Sequence, residues 1–363
     1  MRLVIFLISA LFAMSHPTKR ADSKRNPYLS VLLIGDWGNQ LDLSDEINIA
    51  TTMNSWAEEH KSTCVISLGD NFYKGGNYSY DGLNSPEDAK FHALWSQVFT
   101  GATLAKLPWW VVLGNHDWLE IESHRYEIEY THERWHIPDI FYTKRVKVPG
   151  QKNHHASFIF IETDLLQYGY YPPNNMSTNF LQLGWTPEDR TAEKQLAWLD
   201  NELHKANKDE FVFVVGHHGG FTCAEEVESS FAIKNMTALV NKYNATAFIH
   251  GHHHTLAYYY TNNNSTLQVQ SGAGGNIDGA CAPVSDAVGA EMVNIYGFTH
   301  LRVYEDYVHF EFVTEKDSVV FEAFMKRRKP AVGVKVDKTY LAGPKDPSVH
   351  FKKAKKRIMV LEQ

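Results

Sequence analysis

Apolar runs closed by a glycine recur along the chain. They read Val31-Leu32-Leu33-Ile34 before Gly35, Val65-Ile66-Ser67-Leu68 before Gly69, and Trp109-Trp110-Val111-Val112-Leu113 before Gly114. Phe211-Val212-Phe213-Val214-Val215 precedes Gly216, and Ala247-Phe248-Ile249 stands just ahead of Gly251. Short runs that are apolar without alternation and bounded by Gly predict strands buried on both faces. Between them the period becomes helical. Ser44 can cap a helix showing Ile49, Met53 and Trp56 on one face. Ser85, followed by Pro86, Glu87 and Asp88, can cap another with Phe91, Trp95 and Val98 inward. Thr186-Pro187-Glu188 opens a third, carrying Leu196, Leu199 and Leu203.

Later in the chain the pattern is that of strands. Residues 157–161, 267–269, 300–304 and 307–313 are strand-like, and Val308, Phe310 and Phe312 alternate with His309, Glu311 and Val313. Glu305-Asp306 would be a two-residue hairpin turn. The whole reads as an α/β protein, a pair of mixed sheets with helices outside, and without internal repeats. Residues 168–187, rich in Tyr, Pro and Asn without a period, are expected to loop over one end of the sheets. Residues 326–363, basic and polar, are expected to form a flexible tail.

A length of 363 residues with 44% hydrophobic content is ample for one large domain. The net charge of −7 is uneven: residues 326–363 carry twelve Lys/Arg and three Asp/Glu, which leaves −16 on the rest. An acidic body with a basic tail argues against a nucleic-acid reader. Met1-Arg2 and the apolar residues 3–14, with small Ala13 and Ser15, predict a signal peptide over residues 1–15, too short to span a bilayer. A secreted or lysosomal protein with no stable membrane anchor is therefore expected. The sequons at Asn77, Asn175, Asn235, Asn244, Asn263 and Asn264 agree with that route. Cys64, inside an apolar run, is expected to be a buried free thiol. Cys223 and Cys281, in loops after motif-bearing strands, are expected to pair, worth roughly 4 kcal/mol in the chain-entropy model.

The residues just past each glycine change the picture most. They are Asp36, Asp70-Asn71-Phe72-Tyr73, Asn115-His116-Asp117, His217-His218 and His252-His253-His254. Open α/β sheets bind ligands at the carboxyl ends of their strands. Residues from distant parts of the chain would thus converge on one cluster. In extended geometry His252 and His254 would face one site and His253 another. Mixed O and N donors without thiolate suit iron, manganese or zinc. Six or seven ligands are too many for one open ion and fit two ions roughly 3.5–4 Å apart, bridged by a carboxylate. A phenol such as Tyr73, with a free pKa near 10, is a poor ligand for Mg²⁺ or Mn²⁺, but a trivalent ion can deprotonate it. Trp37, Trp109 and Trp110 are expected in the core, and Asp117 as a local hydrogen-bonding acid.

Taken in order, Gly-Asp-Trp-Gly, Gly-Asp-Asn-Phe-Tyr, Gly-Asn-His-Asp, Val-x-Gly-His and Gly-His-x-His resemble the calcineurin-like metallophosphoesterases. Tyr73 aligns the likeness with the purple acid phosphatases, and the compact length with their tartrate-resistant branch. It runs from about residue 28 to 325 and includes Trp198-Leu199 and Ser271-Gly272-Ala273-Gly274. The resemblance implies a four-layer α/β/β/α sandwich forming a catalytic domain over residues 27–325. It implies that Asp36, Tyr73 and His254 hold Fe(III), that Asn115, His217 and His252 hold Fe(II), Zn or Mn, that Asp70 bridges the two, and that His116 lies near the phosphate. The implied activity is acid phosphatase: hydrolysis of phosphate monoesters, small or on phosphoproteins, by a monomer using metal-bound hydroxide. A manganese or zinc phosphodiesterase of the same fold, or a non-catalytic scaffold, are the rival readings. The chain departs from the pattern at His253, where the family often has Asp, and at His218 with Gly219-Gly220 after it, where an aromatic is common. It departs again at Glu225-Glu226, where relatives carry a Glu-His pair.

Overall fold

A computed structural model describes residues 26–39, 43–120, 122–148, 155–168, 191–219, 231–261, 266–278 and 287–336. The elements run β1 (Leu29–Ile34), α1 (Leu43–His60), β2 (Cys64–Leu68), β3 (Trp109–Val112), α2 (Ser123–Glu129), β4 (Trp135–His136), β5 (Tyr142–Lys147), β6 (His155–Phe160), α3 (Thr163–Tyr168) and α4 (Ala192–Lys205). They continue with β7 (Phe211–Val215), α5 (Phe231–Lys242), β8 (Ala247–His250), β9 (Leu256–Thr261), β10 (Leu267–Ser271), β11 (Ala287–Val293), β12 (Gly297–Val303), β13 (Tyr307–Thr314) and β14 (Val319–Lys326). All five apolar runs are strands. β1 and β2 are buried along their whole length, as their lack of alternation requires.

Two seven-stranded mixed sheets result, ordered β14-β13-β12-β1-β2-β3-β4 and β11-β9-β10-β8-β7-β6-β5. β1, β2 and β3 are parallel neighbours, and so are β6, β7 and β8. The sheets face each other through aromatic side chains: Trp110 meets Phe158 at 5.7 Å between centroids, and Tyr258 meets Phe312 at 5.9 Å. α1 covers the first sheet with Ile49, Met53 and Trp56. On the second, Leu196, Leu199 and Leu203 of α4 and Met236 and Leu239 of α5 pack over Val212, Val214 and Phe248. These are the four layers, α/β/β/α, that the resemblance implies. Trp37 and Trp109 are fully buried, with ring centroids 5.6 Å apart. Among the described residues no helix is long and apolar enough to cross a membrane.

Two expectations need revision. The helix expected to start at Ser85 begins later, as a single wide turn over Phe91–Ser96. Asp88 is the reason: its carboxylate accepts from the backbone N–H of Asn84 and of Lys90, both at 2.9 Å. The Lys90 ammonium then ties down the carbonyls of Tyr80 (2.6 Å) and Gly82 (2.7 Å), so residues 84–88 are turns. Second, the body does not end at residue 325. Arg328 is buried, and its guanidinium donates to the carbonyls of Asn244 (2.9 Å) and Asn207 (3.0 Å), which seals the base of the second sheet. Thr191 caps α4 by accepting from Lys194 N–H at 3.1 Å; the start expected at Thr186 lies outside the described residues. So do residues 169–187 of the expected loop and residues 337–363 of the tail.

Glu46 is 1% exposed in the first turn of α1, with neither carboxyl oxygen hydrogen-bonded. Burial pushes its pKa well above the ordinary carboxylate value. The folded state therefore binds this proton more tightly than the unfolded state. Its contribution is fully present below the unfolded pKa near 4.5 and is lost as pH rises. A Glu46→Met protein should gain about 1–3 kcal/mol at pH 7.5. The gain should shrink toward zero by pH 4.5, as followed by urea denaturation at both pH values. An equal gain at both would show that Glu46 does not titrate with folding.

Candidate metal centre

The carboxyl ends of β1, β2, β3, β7 and β8 meet at one edge of the sandwich. Backbone hydrogen bonds stitch their loops together: Asp36 N–H to Gly69 O at 3.0 Å, Gly35 N–H to Ser271 O at 2.8 Å, and Gly251 N–H to His217 O at 3.1 Å. Asp36, Asp70 and His252 have φ of 59°, 52° and 72°, a left-handed conformation uncommon outside glycine. Such strain persists where surrounding contacts over-determine it, and it concentrates at functional sites. Gly69, at φ 90°, leaves room for the second sheet, since a Cβ there would lie 2.6 Å from His217 Nδ1.

All seven expected ligands come together. Tyr73 Oη lies 2.9 Å from Asp70 Oδ2, 3.2 Å from Asp36 Oδ1 and 3.3 Å from His254 Nε2. His254 Nε2 is 3.6 Å from Asp36 Oδ1. On the other side Asn115 Oδ1 is 3.2 Å from His217 Nε2 and 3.1 Å from His252 Nδ1. Asp70 Oδ2 stands between the halves, 3.4 Å from His217 Nε2. The route to this geometry differs from expectation in one respect. Residues 251–255 are a bent loop, not an extended strand. His252 reaches the cluster through its positive φ, with its N–H on Asp36 Oδ2 at 3.0 Å.

The donor set fits cations. His217 Nδ1 lies 2.8 Å from the Leu68 carbonyl, which can only accept, so Nδ1 carries a proton. In a neutral ring Nε2 is then a lone pair, and it faces two more acceptors, Asn115 Oδ1 and Asp70 Oδ2. Without a cation the contact needs a proton, either on an imidazolium or from the Asn115 amide turned over. Burial opposes the imidazolium, yet the Asp70 charge beside it pushes the His217 pKa well above its usual value. Burial likewise raises Asp36 to about 7, and burial with the charges of Asp70 and Asp36 holds the Tyr73 phenol protonated. A second donor cluster, His309, Glu311 and Glu322, has its charges answered internally. Arg302 donates to Glu311 at 2.8 Å and to His309 Nδ1 at 2.9 Å, so His309 Nε2 carries the proton given to Glu322.

Around the seven lie residues that sequence reasoning did not single out for the site. Asp81 Oδ1 accepts from His116 Nδ1 at 2.7 Å and leaves Nε2 facing the mouth, 4.0 Å from Asp70 Oδ2. His116 is 29% exposed, so it is open to a ligand. Burial works against its charge, but Asp70 and the Asp81 hydrogen bond raise its pKa overall. Asp278 accepts from the His254 backbone N–H at 2.8 Å and lies 3.2 Å from His254 Nδ1, which turns Nε2 inward. Neither carboxylate has a periodic or positional mark in the sequence. Asp117 is the hydrogen-bonding acid expected of it. His218 is fully buried, its ring 4.2 Å from that of His252. The His253 ring lies 5.0 Å from that of His252, with its Nδ1 4.0 Å from Asp278 Oδ2.

Cys64 is free and buried, and burial pushes its thiol up to about 12. Cys223, Cys281, Glu225, Glu226, Asn175, Asn263 and Asn264 lie outside the described residues. Asn77 sits exposed in the turn between Gly75 and Tyr78; Asn235 and Asn244 are half-buried.

Residues 29–256 match the family Calcineurin-like phosphoesterase. The chain is 27% identical over 326 residues to tartrate-resistant acid phosphatase type 5 of Mus musculus, covering 83% of this chain and 91% of that one. Against the Homo sapiens protein of that name identity is 30% over 264 residues, covering 70% and 73%. Against purple acid phosphatase 7 of Arabidopsis thaliana it is 28% over 250 residues, covering 69% and 70%. Among solved structures, GAP50, the anchor in the inner membrane complex of Plasmodium, superposes with a TM-score of 0.68 at 20% identity, covering 86% of this chain and 94% of that one. The purple acid phosphatase PPD1 of yellow lupin gives 0.53 at 14% identity, covering 87% and 55%.

Proposed function

Because the chain belongs to the calcineurin-like phosphoesterase family, with tartrate-resistant and purple acid phosphatases among its relatives, we propose that it is an acid phosphatase that hydrolyses phosphate monoesters. One observation carries this reading: oxygen and nitrogen donors of Asp36, Asp70, Tyr73, Asn115, His217, His252 and His254, from five strand ends, converge on one cluster with Asp70 Oδ2 between its two halves. Asp36, Tyr73 and His254 would hold a trivalent iron, and Asn115, His217 and His252 a divalent iron, zinc or manganese, with Asp70 between them. Bound there, the ions supply Lewis-acid charge to the phosphate oxygens and lower the pKa of water.

The chain's own residues do the rest. Asp81 fixes the His116 tautomer and orients Nε2 toward the mouth. A protonated His116 can then donate to a phosphate or leaving-group oxygen. Its raised pKa keeps that proton available at mildly acidic pH. Asp278 holds the His254 ring by one carboxylate used twice. Tyr73 selects the metal: a phenol whose pKa is pushed up by burial and two carboxylates is deprotonated only by a strongly charged ion. The apolar start of the chain and the exposed sequon at Asn77 support passage through the secretory pathway.

The test is spectroscopic and kinetic. The purified protein should carry iron and a visible phenolate-to-Fe(III) band, and should cleave an aryl phosphate monoester faster than the diester. Tyr73→Phe should abolish the band while the circular dichroism spectrum stays unchanged. A colourless wild type with stoichiometric manganese and no iron would refute the assignment.

A further inference from the structure

Thr163 opens α3, behind the metal-binding edge, and is fully buried. Its hydroxyl oxygen accepts from the backbone N–H of His217 at 3.2 Å and of His218 at 2.9 Å. The same oxygen lies 3.0 Å from His218 Nδ1. A hydroxyl offers one donor and two lone pairs. With both lone pairs given to N–H groups, its proton goes to His218 Nδ1, and all three capacities are used.

Each bond aims something. The first two fix the backbone where β7 ends, and with it the root of the His217 side chain. The third fixes the His218 ring, which packs 4.2 Å from the His252 ring at 40°. One hydroxyl thus stands behind two of the three side chains assigned to the divalent ion. The platform is itself rigid. Gln195 and Glu162 exchange reciprocal bonds of 2.7 and 2.8 Å, and the Glu162 carboxylate accepts from Asp164 N–H at 2.8 Å. Gly216 lets α3 approach, because a Cβ there would meet Thr163 Cγ2 at 2.7 Å.

The other half of the centre is held elsewhere. His254 rests on Asp278, Tyr73 N–H on Gly38 O at 3.0 Å, and Asp36 N–H on Gly69 O at 3.0 Å. Among the described residues, the Thr163 hydroxyl bonds to His217 and His218, and no hydrogen bond joins it to Asp36, Tyr73 or His254.

We infer that Thr163 is a positioning residue for the divalent half of the centre alone, setting the affinity of that ion while leaving the iron–phenolate half untouched. This rests on the two-ion reading above. Partners that orient metal ligands typically contribute about 10–100-fold to metal affinity.

The experiment compares wild type with Thr163→Val, which keeps the shape and removes the hydroxyl, and Thr163→Ser, which restores it. Thr163→Ala gives the same comparison should the Val protein not accumulate. Each protein, loaded with iron and zinc, is equilibrated against increasing chelator; zinc content and the visible band are read together. Thr163→Val should release zinc at about tenfold lower chelator while its band keeps position and intensity, and Thr163→Ser should follow wild type. Equal zinc retention in Thr163→Val and wild type overturns the inference and leaves the two-ion reading standing. Loss of zinc and the band in parallel overturns it too, as the mark of general loosening. A wild type that takes up no second ion overturns both.

Discussion

An Asp70→Asn protein is expected to fold, to lose turnover by about 10³-fold, and to lose the thermal stabilisation that metal ions give the parent. Asp70 reaches side chains of both halves through a single oxygen, 2.9 Å from Tyr73 Oη and 3.4 Å from His217 Nε2. Its other oxygen accepts the His116 backbone N–H at 2.8 Å. An amide oxygen can keep that last bond, which is why the fold should survive. It cannot supply the negative charge that two neighbouring cations require. The metal-free variant should also be less stable than the metal-free parent at neutral pH: burial works against the Asp70 charge, yet His217 and His116 beside it hold its carboxyl well below the usual carboxylate range, and an amide cannot pair with them. The measurements are kcat on an aryl phosphate, metal content, and melting temperature with and without added metal. A variant that retains two ions and a tenth of the activity would remove Asp70 from the bridging role.

The second large effect is on stability and comes from a residue that need not touch substrate. Asp117 is fully buried, and its carboxylate accepts backbone N–H groups from Gly114 (2.8 Å), Asn71 (2.9 Å) and Phe72 (3.2 Å). It thereby clamps the loop that carries Asp70 and Tyr73 to the loop that carries Asn115 and His116. Asp117→Ala leaves three buried donors without an acceptor, at about 1–3 kcal/mol each, so a loss of about 4 kcal/mol is expected. Glu127 is the control. Burial and then the Asp117 charge raise its pKa well above normal, so it sits beside Asp117 as the neutral acid, accepting from Asn71 Nδ2 at 2.9 Å. Glu127→Gln replaces a neutral group by a neutral group and should cost under about 1 kcal/mol. Urea denaturation of the metal-free proteins separates the two. Equal losses would mean that packing around α2, not the clamp, sets the stability.

Much of this was legible in one sequence. Buried parallel strands must be apolar on both faces, so the runs that became β1, β2, β3, β7 and β8 stand out without alignment. Ligand-bearing loops follow such strands, and the donor types after each glycine named the seven residues that the fold gathers. Local signals failed where a side chain overrode them. Ser85 is a good cap by composition, yet Asp88 takes the backbone donors and delays the helix. His252 and His254 were legible as a pair by spacing, but the extended backbone assumed for them is a bend at φ 72°.

The sequence by itself determined which residues bear chemistry and in what order, because donor type and strand burial are properties of short segments. Only the tertiary structure decided what orients them. β1 pairs with β12, some 270 positions away in sequence, and the sheets meet so that Leu68 O finds His217 and Thr163 finds the end of β7. Asp81, Asp278 and Thr163 act through contacts across loops or between sheets, and no periodicity marks such a partner. Their roles arise when two surfaces close, since a hydrogen bond of about 3 Å is set by packing and not by position along the chain.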